Sequence, residues 1–208
     1  YDALGFDTNA YNQSNQSSSG YQALQISGEK RFSKGLLYTA SFTWGKSYDF
    51  GLHNPSVNWN ANLDRAVQDT DRKFVFVSSH VWELPFGPGK QYLNTNGPLR
   101  YLVGGWQLSG VETIESGLPF SPVLGDTSTL NSDCCTLRPN IIGSSSVSNP
   151  GRNLWFNPAA FGVPGLYKYG NAGRNIMRGP GLFRVDLGLV KSFQITERAR
   201  LELQWQAY

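Results

Sequence analysis

Strict alternation of apolar and polar residues is clearest at the end of the chain. It runs through two arms that flank a polar turn at residues 194–197. Successive side chains of a strand face opposite sides of a sheet, so this pattern predicts a β-hairpin over residues 183–208 with one apolar side and one polar side. Each arm approaches the roughly 9–11 residues that a tilted strand needs to cross a bilayer. The apolar positions are Val185, Leu187, Leu189, Leu201, Leu203, Trp205 and Ala207.

The same pattern predicts a first hairpin over residues 21–48, reversed by a turn at Ser33, Lys34 and Gly35. A further strand is predicted over residues 73–84, with apolar residues on both sides. Another is predicted over residues 102–115, where the alternation is imperfect around Gly110 and indicates a β-bulge. The returning arm of the first hairpin has its apolar positions at Leu36, Tyr38, Ala40, Phe42 and Trp44.

Long and short connections alternate between these strands. The loops at residues 47–72 and 116–179 are long and rich in Gly, Pro, Ser and Asn, whereas the turns near Lys34, Gly87 and Thr196 are tight. Loops of that length are unusual in a compact soluble domain, but barrels of the outer membrane carry them on the external side. The sequence therefore predicts an all-β fold: antiparallel up-and-down strands of part of an outer-membrane β-barrel, with long external loops and a single barrel domain over residues 1–208.

Composition agrees with alternating strands. Aromatic residues reach 13% and charged residues only 16% of the 208 positions, as expected when half of each strand faces lipid or a core and half faces water. The net charge of +3 comes from scattered basic residues, so no nucleic-acid partner is expected. The chain has no run of 18 consecutive apolar residues, so no transmembrane helix is predicted. The strand pattern begins and stops within elements, and we expect the chain to be a piece of a larger barrel.

Two adjacent cysteines, Cys134 and Cys135, lie in the longest predicted loop. In an exported protein they are candidates for a disulfide of some kind. A bridge between neighbours is strained, so a free or intermolecular pair stays open as an alternative. Two thiols do not make a zinc site, and we expect no metal and no cofactor.

Catalytic residues are not expected. The histidines are His53, interpreted as a loop-surface residue, and His80, interpreted as a residue of the strand wall. No Gly-x-Ser-x-Gly elbow is present, and Ser78 is only a same-face neighbour of His80. Glu112 and Glu115 are separated by an odd number of positions on one predicted strand, so their side chains point to opposite faces and do not form a glycosidase pair.

Aromatic residues in the long loops are the candidates for ligand contact. Their rings can stack on a sugar or a peptide, although Trp and Tyr near strand ends are equally expected as interfacial girdle residues. The candidates are Trp59, Trp155, Phe156, Phe161, Tyr167 and Tyr169.

Short strings along the chain resemble the C-terminal part of the β-barrel of Oar-type TonB-dependent outer-membrane receptors. The strings are EKRFSKGL at 29–36, WELPFG at 82–87, GGWQLSG at 104–110, WFNPAAF at 155–161, GNAGRN at 170–175 and RGPG at 178–181. The resemblance implies a Gram-negative outer-membrane location and the binding and import of a large solute, a glycan or a peptide.

The resemblance also implies partners. Such barrels have about 22 strands, whereas about six are predicted here, so the remaining barrel and the plug of the same receptor are expected beside this chain. Outer-membrane lipid is expected around it. A TonB-type energy-coupling protein is expected to act through an N-terminal part that is not among these residues.

Two other functions stay open. An open sheet leaves two unpaired edges, so the chain is alternatively a surface or secreted structural protein that self-associates edge to edge into a filament or layer. A third alternative is a soluble β-rich hydrolase, which the missing triad and metal patterns weaken. An apolar belt that needs detergent favours the barrel over the edge-to-edge assembly. Activity that is lost on replacing His80 but kept on replacing His53 would favour the hydrolase.

Overall fold

The computed structural model of the chain describes residues 18–51, 61–94, 97–98, 100–125, 137–196 and 198–208. Strands dominate these residues. The strands are β1 (Gly20–Ser33), β2 (Leu36–Asp49), β3 (Ala66–Val67), β4 (Phe74–Glu83), β5 (Trp106–Glu115), β6 (Pro119–Phe120), β7 (Asn140–Ile141), β8 (Phe161–Gly162), β9 (Met177–Arg178), β10 (Leu182–Thr196) and β11 (Ala199–Ala207). Helical turns are short: Ala61–Asp64 and Pro158–Ala160 are 3₁₀ and Arg100–Val103 is the α-helix α1. None of the helices in the described ranges is long and apolar enough to span a membrane.

The long strands form one antiparallel sheet in the order β1-β2-β4-β5-β10-β11, with β3 paired to β2. Each long strand pairs with the next long strand in the chain, which is the up-and-down arrangement. The predicted fold class is therefore confirmed. Two further pairs of short strands, β6-β9 and β7-β8, lie outside this sheet.

The described chain divides into two compact units. Among the described residues, the wall unit comprises 22–46, 70–94, 97–98, 100–118, 179–196 and 198–208, and the loop unit comprises 18–21, 47–51, 61–69, 119–125 and 137–178. Within the loop unit, Leu137 and Pro139 are completely buried, together with Ala160 and Ala172. The predicted long loop at residues 116–179 thus contains short strands and a small core of its own.

Strand pairing separates the wall residues into two faces. Opposite residues of an antiparallel pair share a face, and the register joins Phe42, Phe76 and Ile114 in one row. The apolar side chains of this face, which we call the apolar face, include Leu36, Tyr38, Phe42, Trp44, Phe74, Phe76, Trp82, Trp106, Leu108, Ile114, Phe183, Val185, Leu187, Leu189, Leu201, Leu203 and Trp205. The opposite face, which we call the polar face, carries Thr39, Ser41, Thr43, Ser79, Gln107, Ser109, Thr113, Glu115, Arg184, Asp186, Ser192, Arg200, Glu202, Gln204 and Gln206, interspersed with the aliphatic residues Leu37, Val75, Val77, Val81, Val111, Leu182 and Val190.

The first tight turn has a backbone conformation that accounts for the glycine in its sequence. Lys34 and Gly35 both have positive φ, 52° and 80°, as a two-residue hairpin turn with the twist of the flanking strands requires. Glycine adopts that backbone conformation without steric cost. The lysine and glycine therefore fix the point at which β1 returns as β2.

The observed strand bounds differ from the sequence pattern at β5. The strand predicted from residue 102 begins at Trp106, because α1 occupies Arg100–Val103 and its Leu102 carbonyl accepts a hydrogen bond from Trp106 Nε1 at 2.9 Å. The predicted bulge at Gly110 is wrong, since the pairing of β5 with β4 and β10 continues through that residue without a shift. A Cβ at residue 110 would lie 2.6 Å from His80 Cε1, so the glycine leaves room for the imidazole ring of His80.

Candidate functional site

Arg174 holds distant parts of the loop unit together. Its Nη1 lies 2.8 Å from Asp69 Oδ1, its Nε donates to the Asp64 carbonyl at 3.0 Å, and its Nη2 pairs with the Asp49 carboxylate. Arg138 adds a second guanidinium, with Nη2 3.0 Å from Asp64 Oδ1. A planar guanidinium offers five donors in fixed directions, which suits it to several acceptors at once.

Burial sets the electrostatics of this network. The side chains of Arg138 and Asp64 are only 9% and 4% exposed. Burial lowers the pKa of Arg138, the charge of Asp64 opposes that shift, and the charge of Arg174 adds to it. Arginine stays protonated over the range in which proteins fold, so the network consists of two guanidiniums held against carboxylates. It is suited to fixing chain segments rather than to proton transfer.

Asn175 completes the same corner of the loop unit. It has a positive φ of 54°, which Asn tolerates better than most residues. Its side chain donates to the Val67 carbonyl at 2.8 Å, and its backbone N–H donates to Ser121 Oγ at 2.9 Å. Arg174 and Asn175 together attach the segment before β9 to the segments around residues 67 and 121.

Three of the predicted aromatic candidates, Trp155, Phe156 and Phe161, take part in the internal packing of the loop unit. Phe156 packs between Phe120 and Phe161, with ring centroids 6.0 Å away on each side. Trp155 Nε1 donates to the Arg178 carbonyl at 2.7 Å. The structure therefore uses these rings to fix the fold of the unit, while their accessible parts keep the ligand-contact prediction open.

The two predicted tyrosines are more accessible. Tyr167 is 75% exposed and Tyr169 is 39% exposed, and Tyr169 also has a contact within the chain. Val163 and Leu166, in the same segment, are 67% and 71% exposed. We call residues 163–169 the exposed loop segment. The other predicted residues, Trp59, His53, Cys134 and Cys135, lie outside the described residues.

A polar cluster lies on the apolar face of the wall unit. Ser78 Oγ donates to Glu112 Oε2 at 2.6 Å, and His80 Nδ1 lies 3.1 Å from Glu112 Oε1. Ser78 and His80 share a face as the alternation predicts, but only the β4-β5 register reveals Glu112 as their partner. The Ser78 hydroxyl is bonded to the acid and not to the histidine, so the nucleophile–base arrangement of a serine hydrolase is not formed here.

Glu115 follows the prediction that it points away from Glu112. It lies on the polar face and pairs with Arg72, whose Nε is 3.2 Å from Glu115 Oε2. In the described ranges, no three His, Cys, Asp or Glu side chains are grouped closely enough to hold a metal ion.

Lys191 is a structural residue that sequence reasoning missed. It occupies an apolar-face position opposite Trp106, and only 2% of it is exposed. Its Nζ donates to the carbonyls of Leu102 and Gly104 and lies 4.9 Å and 5.0 Å from the ring centroids of Trp106 and Phe193. The sequence offered one sign of this role: Lys191 follows Leu187 and Leu189 at the two-residue period of the strand, so it was expected on the same face as those apolar residues.

Comparison with known proteins shows the family to which the chain belongs. A family model described as an outer membrane beta barrel domain matches residues 3–208. No curated protein and no solved structure matches the chain. The apolar and polar faces of the antiparallel sheet agree with the lipid-facing and interior sides of such barrels. The chain belongs to the outer membrane beta barrel domain family, which places it in the outer membrane of Gram-negative cells, in contact with lipid.

Proposed function

We propose that the chain is part of a TonB-dependent outer-membrane receptor that binds a large solute, a glycan or a peptide, and imports it. The proposal is carried by the observation that one chain contains both a two-faced antiparallel wall and long connections that fold into a compact unit of their own. A barrel whose only task is to span the membrane needs no folded connection of that size. The resemblance of the strings in the chain to Oar-type receptors supplies the class of receptor.

The exposed loop segment is the proposed contact surface for the solute. It combines Tyr167 with the exposed apolar side chains of Val163 and Leu166. Aromatic rings stack on the apolar faces of sugars and on peptide side chains, while the phenol supplies a hydrogen bond. The Arg174 network and the Phe156 stack hold the rest of the loop unit, so the segment is presented on a fixed support.

Import requires partners beyond these residues. The proposed receptor includes the remaining strands of the barrel, a plug, and a TonB-type protein that couples transport to the energised inner membrane. The proposal includes no catalytic step and no cofactor, because recognition and passage are the chemistry that it needs.

The proposal is tested in cells that produce the full-length receptor. Fluorescein-labelled maltodextrins and a labelled mixture of oligopeptides serve as probes, with surface binding and uptake measured separately. We expect one probe class to bind, and we expect a protonophore to abolish its uptake while binding persists. The double variant Leu166→Ser and Tyr167→Ser is expected to lower binding about tenfold, because it removes the stacking ring and its apolar neighbour.

The matched control is Val123→Ser, another exposed apolar residue of the loop unit, which should bind as the unmodified receptor does. Uptake that continues at the same rate with the protonophore would contradict energy-coupled import and indicate a passive pore. Equal binding by the double variant would remove the exposed loop segment from the proposal.

Edge-to-edge self-assembly is the second candidate. Every residue of β1 and of β11 is exposed along its length, as at the free edges of a sheet. Free edges pair with other strands. Filaments that form in buffer without detergent or lipid would favour this function, whereas a protein that stays in the membrane fraction and needs detergent for extraction would favour the receptor.

A further inference from the structure

The cluster of Ser78, His80 and Glu112 lies midway along the strands that carry it. Ser78 and His80 are the fifth and seventh of the ten residues of β4, and Glu112 is the seventh of the ten in β5. On the same face, the rows of the register place Ala40 and Val185 on either side of the cluster. A carboxylate and an imidazole are therefore placed near the centre of the apolar face of the wall.

Such a position is costly against lipid. An ionisable side chain at the centre of the bilayer is destabilising, and such residues commonly mark functional sites. Within the cluster, Glu112 accepts a hydrogen bond from Ser78, and His80 Nδ1 lies 3.1 Å from Glu112 Oε1. No hydrogen bond to His80 Nε2 is formed by any residue that the structure describes. A polar group without a partner in hydrocarbon is destabilising.

We propose that this cluster is the centre of a surface through which the barrel pairs with a second copy of itself in the membrane. A patch that carries an acid beside a base is complementary to itself under a two-fold rotation, as a symmetric dimer interface requires. His80 Nδ1 lies against Glu112 of its own chain, and Nε2, on the other side of the ring, remains to meet Glu112 of the second copy. The two His80–Glu112 pairs then satisfy each other.

Small residues around the cluster allow close approach. Ala40 lies in the same row as Ser78 and Glu112, and Gly110 lies beneath the His80 ring. Small side chains at membrane interfaces let backbones come near enough for polar groups to meet. The position of the cluster at mid-strand argues against a lipid headgroup as the occupant, because headgroups lie level with the strand ends.

Cysteine cross-linking in native outer membranes tests the pairing. The full-length protein carries Cys134→Ser and Cys135→Ser, which replaces both cysteines of these 208 residues, together with either Ala40→Cys on the apolar face or Thr39→Cys on the polar face. We expect copper phenanthroline to produce a band of twice the monomer mass with Ala40→Cys and only monomer with Thr39→Cys. Heat-modifiable migration on gels verifies that both variants form the barrel.

The role of the cluster is tested in the Ala40→Cys background. Glu112→Gln should lower the dimer fraction about tenfold, because it replaces charge-assisted hydrogen bonds by neutral ones. The control Glu115→Gln, on the polar face, should leave the dimer fraction unchanged. Only monomer with Ala40→Cys, a dimer fraction unaffected by Glu112→Gln, or a cross-linked band containing a different protein would each overturn the proposal. The Ala40→Cys result stands even if Glu112→Gln prevents folding.

Discussion

Arg174 reaches Asp69, 105 residues earlier in the chain, with Nη1 2.8 Å from Oδ1. The same guanidinium also binds the Asp64 carbonyl and the Asp49 carboxylate. Its side chain is 13% exposed and that of Asp49 is 10% exposed, whereas that of Asp69 is 75% exposed. One cation therefore connects three separate segments of the loop unit, and Asp49, the less exposed of its two carboxylate partners, should contribute more to the stability of the unit than Asp69.

Replacing this cation should loosen the loop unit. We expect Arg174→Met to lower the stability of the unit by about 3 kcal/mol, because the Asp49 carboxylate is left buried without its cation. Limited proteolysis of the full-length protein in outer membranes measures this as faster cleavage between residues 137 and 178. The control Arg152→Met replaces an exposed arginine of the same unit and should be cleaved at the unmodified rate. Equal rates for the two variants would contradict the role given to Arg174.

Gly110 should resist enlargement. A Cβ at this position would lie 2.6 Å from His80 Cε1 and 3.0 Å from Leu187 Cδ2, so Gly110→Ala is expected to cost about 1–3 kcal/mol. Urea unfolding in detergent, followed by heat-modifiable migration, measures the change. Gly28→Ala is the control, since no atom lies within 4 Å of a Cβ there. Adding His80→Ala to Gly110→Ala should recover part of the loss, and no recovery would place the clash elsewhere.

Lys191 should hold the connection between β4 and β5 in place. Lys191→Met keeps most of the apolar stem but leaves the carbonyls of Leu102 and Gly104 without its ammonium group. We expect a loss of about 2 kcal/mol, measured as faster proteolysis between residues 84 and 105. Lys90→Met is the control, because Lys90 is exposed and pairs with Glu83 on the surface. Unchanged cleavage of the Lys191 variant would show that other contacts hold this connection.

The aromatic residues of the loop unit should separate into two groups. Phe156→Ala removes a ring packed between Phe120 and Phe161 and is expected to destabilise the unit by about 2 kcal/mol. Tyr167→Ala changes a side chain that is 75% exposed and should leave stability unchanged within about 0.5 kcal/mol. Proteolysis of the loop unit, with solute binding measured in parallel, distinguishes the two. Destabilisation by Tyr167→Ala would assign that residue to the packing of the unit.

Much of the wall could be predicted from the sequence. The strand at residues 73–84 is observed at Phe74–Glu83, and the turn at Lys34 and Gly35 is where the chain reverses. Alternation is a local property with a period of two residues, so the sequence of each strand shows which of its side chains share a face. Where both faces of a strand are apolar, as in β4, the pattern does not decide which face joins the apolar face of the sheet. Pairing with β2 and β5 places Phe76 rather than Val77 on that face.

The sequence by itself determined an antiparallel outer-membrane wall with one apolar and one polar face, because alternation and turn residues act over a few neighbouring positions. Only the tertiary structure decided that Glu112 meets Ser78 and His80, that Lys191 binds the carbonyls near α1, and that Arg174 joins Asp49 to Asp69. These partners are separated by 32 or more residues in the chain. Alternation has a period of two residues, so a register shift of two residues between neighbouring strands would keep every face and still separate these partners. The path of the long connections is likewise not contained in the alternation of any one strand.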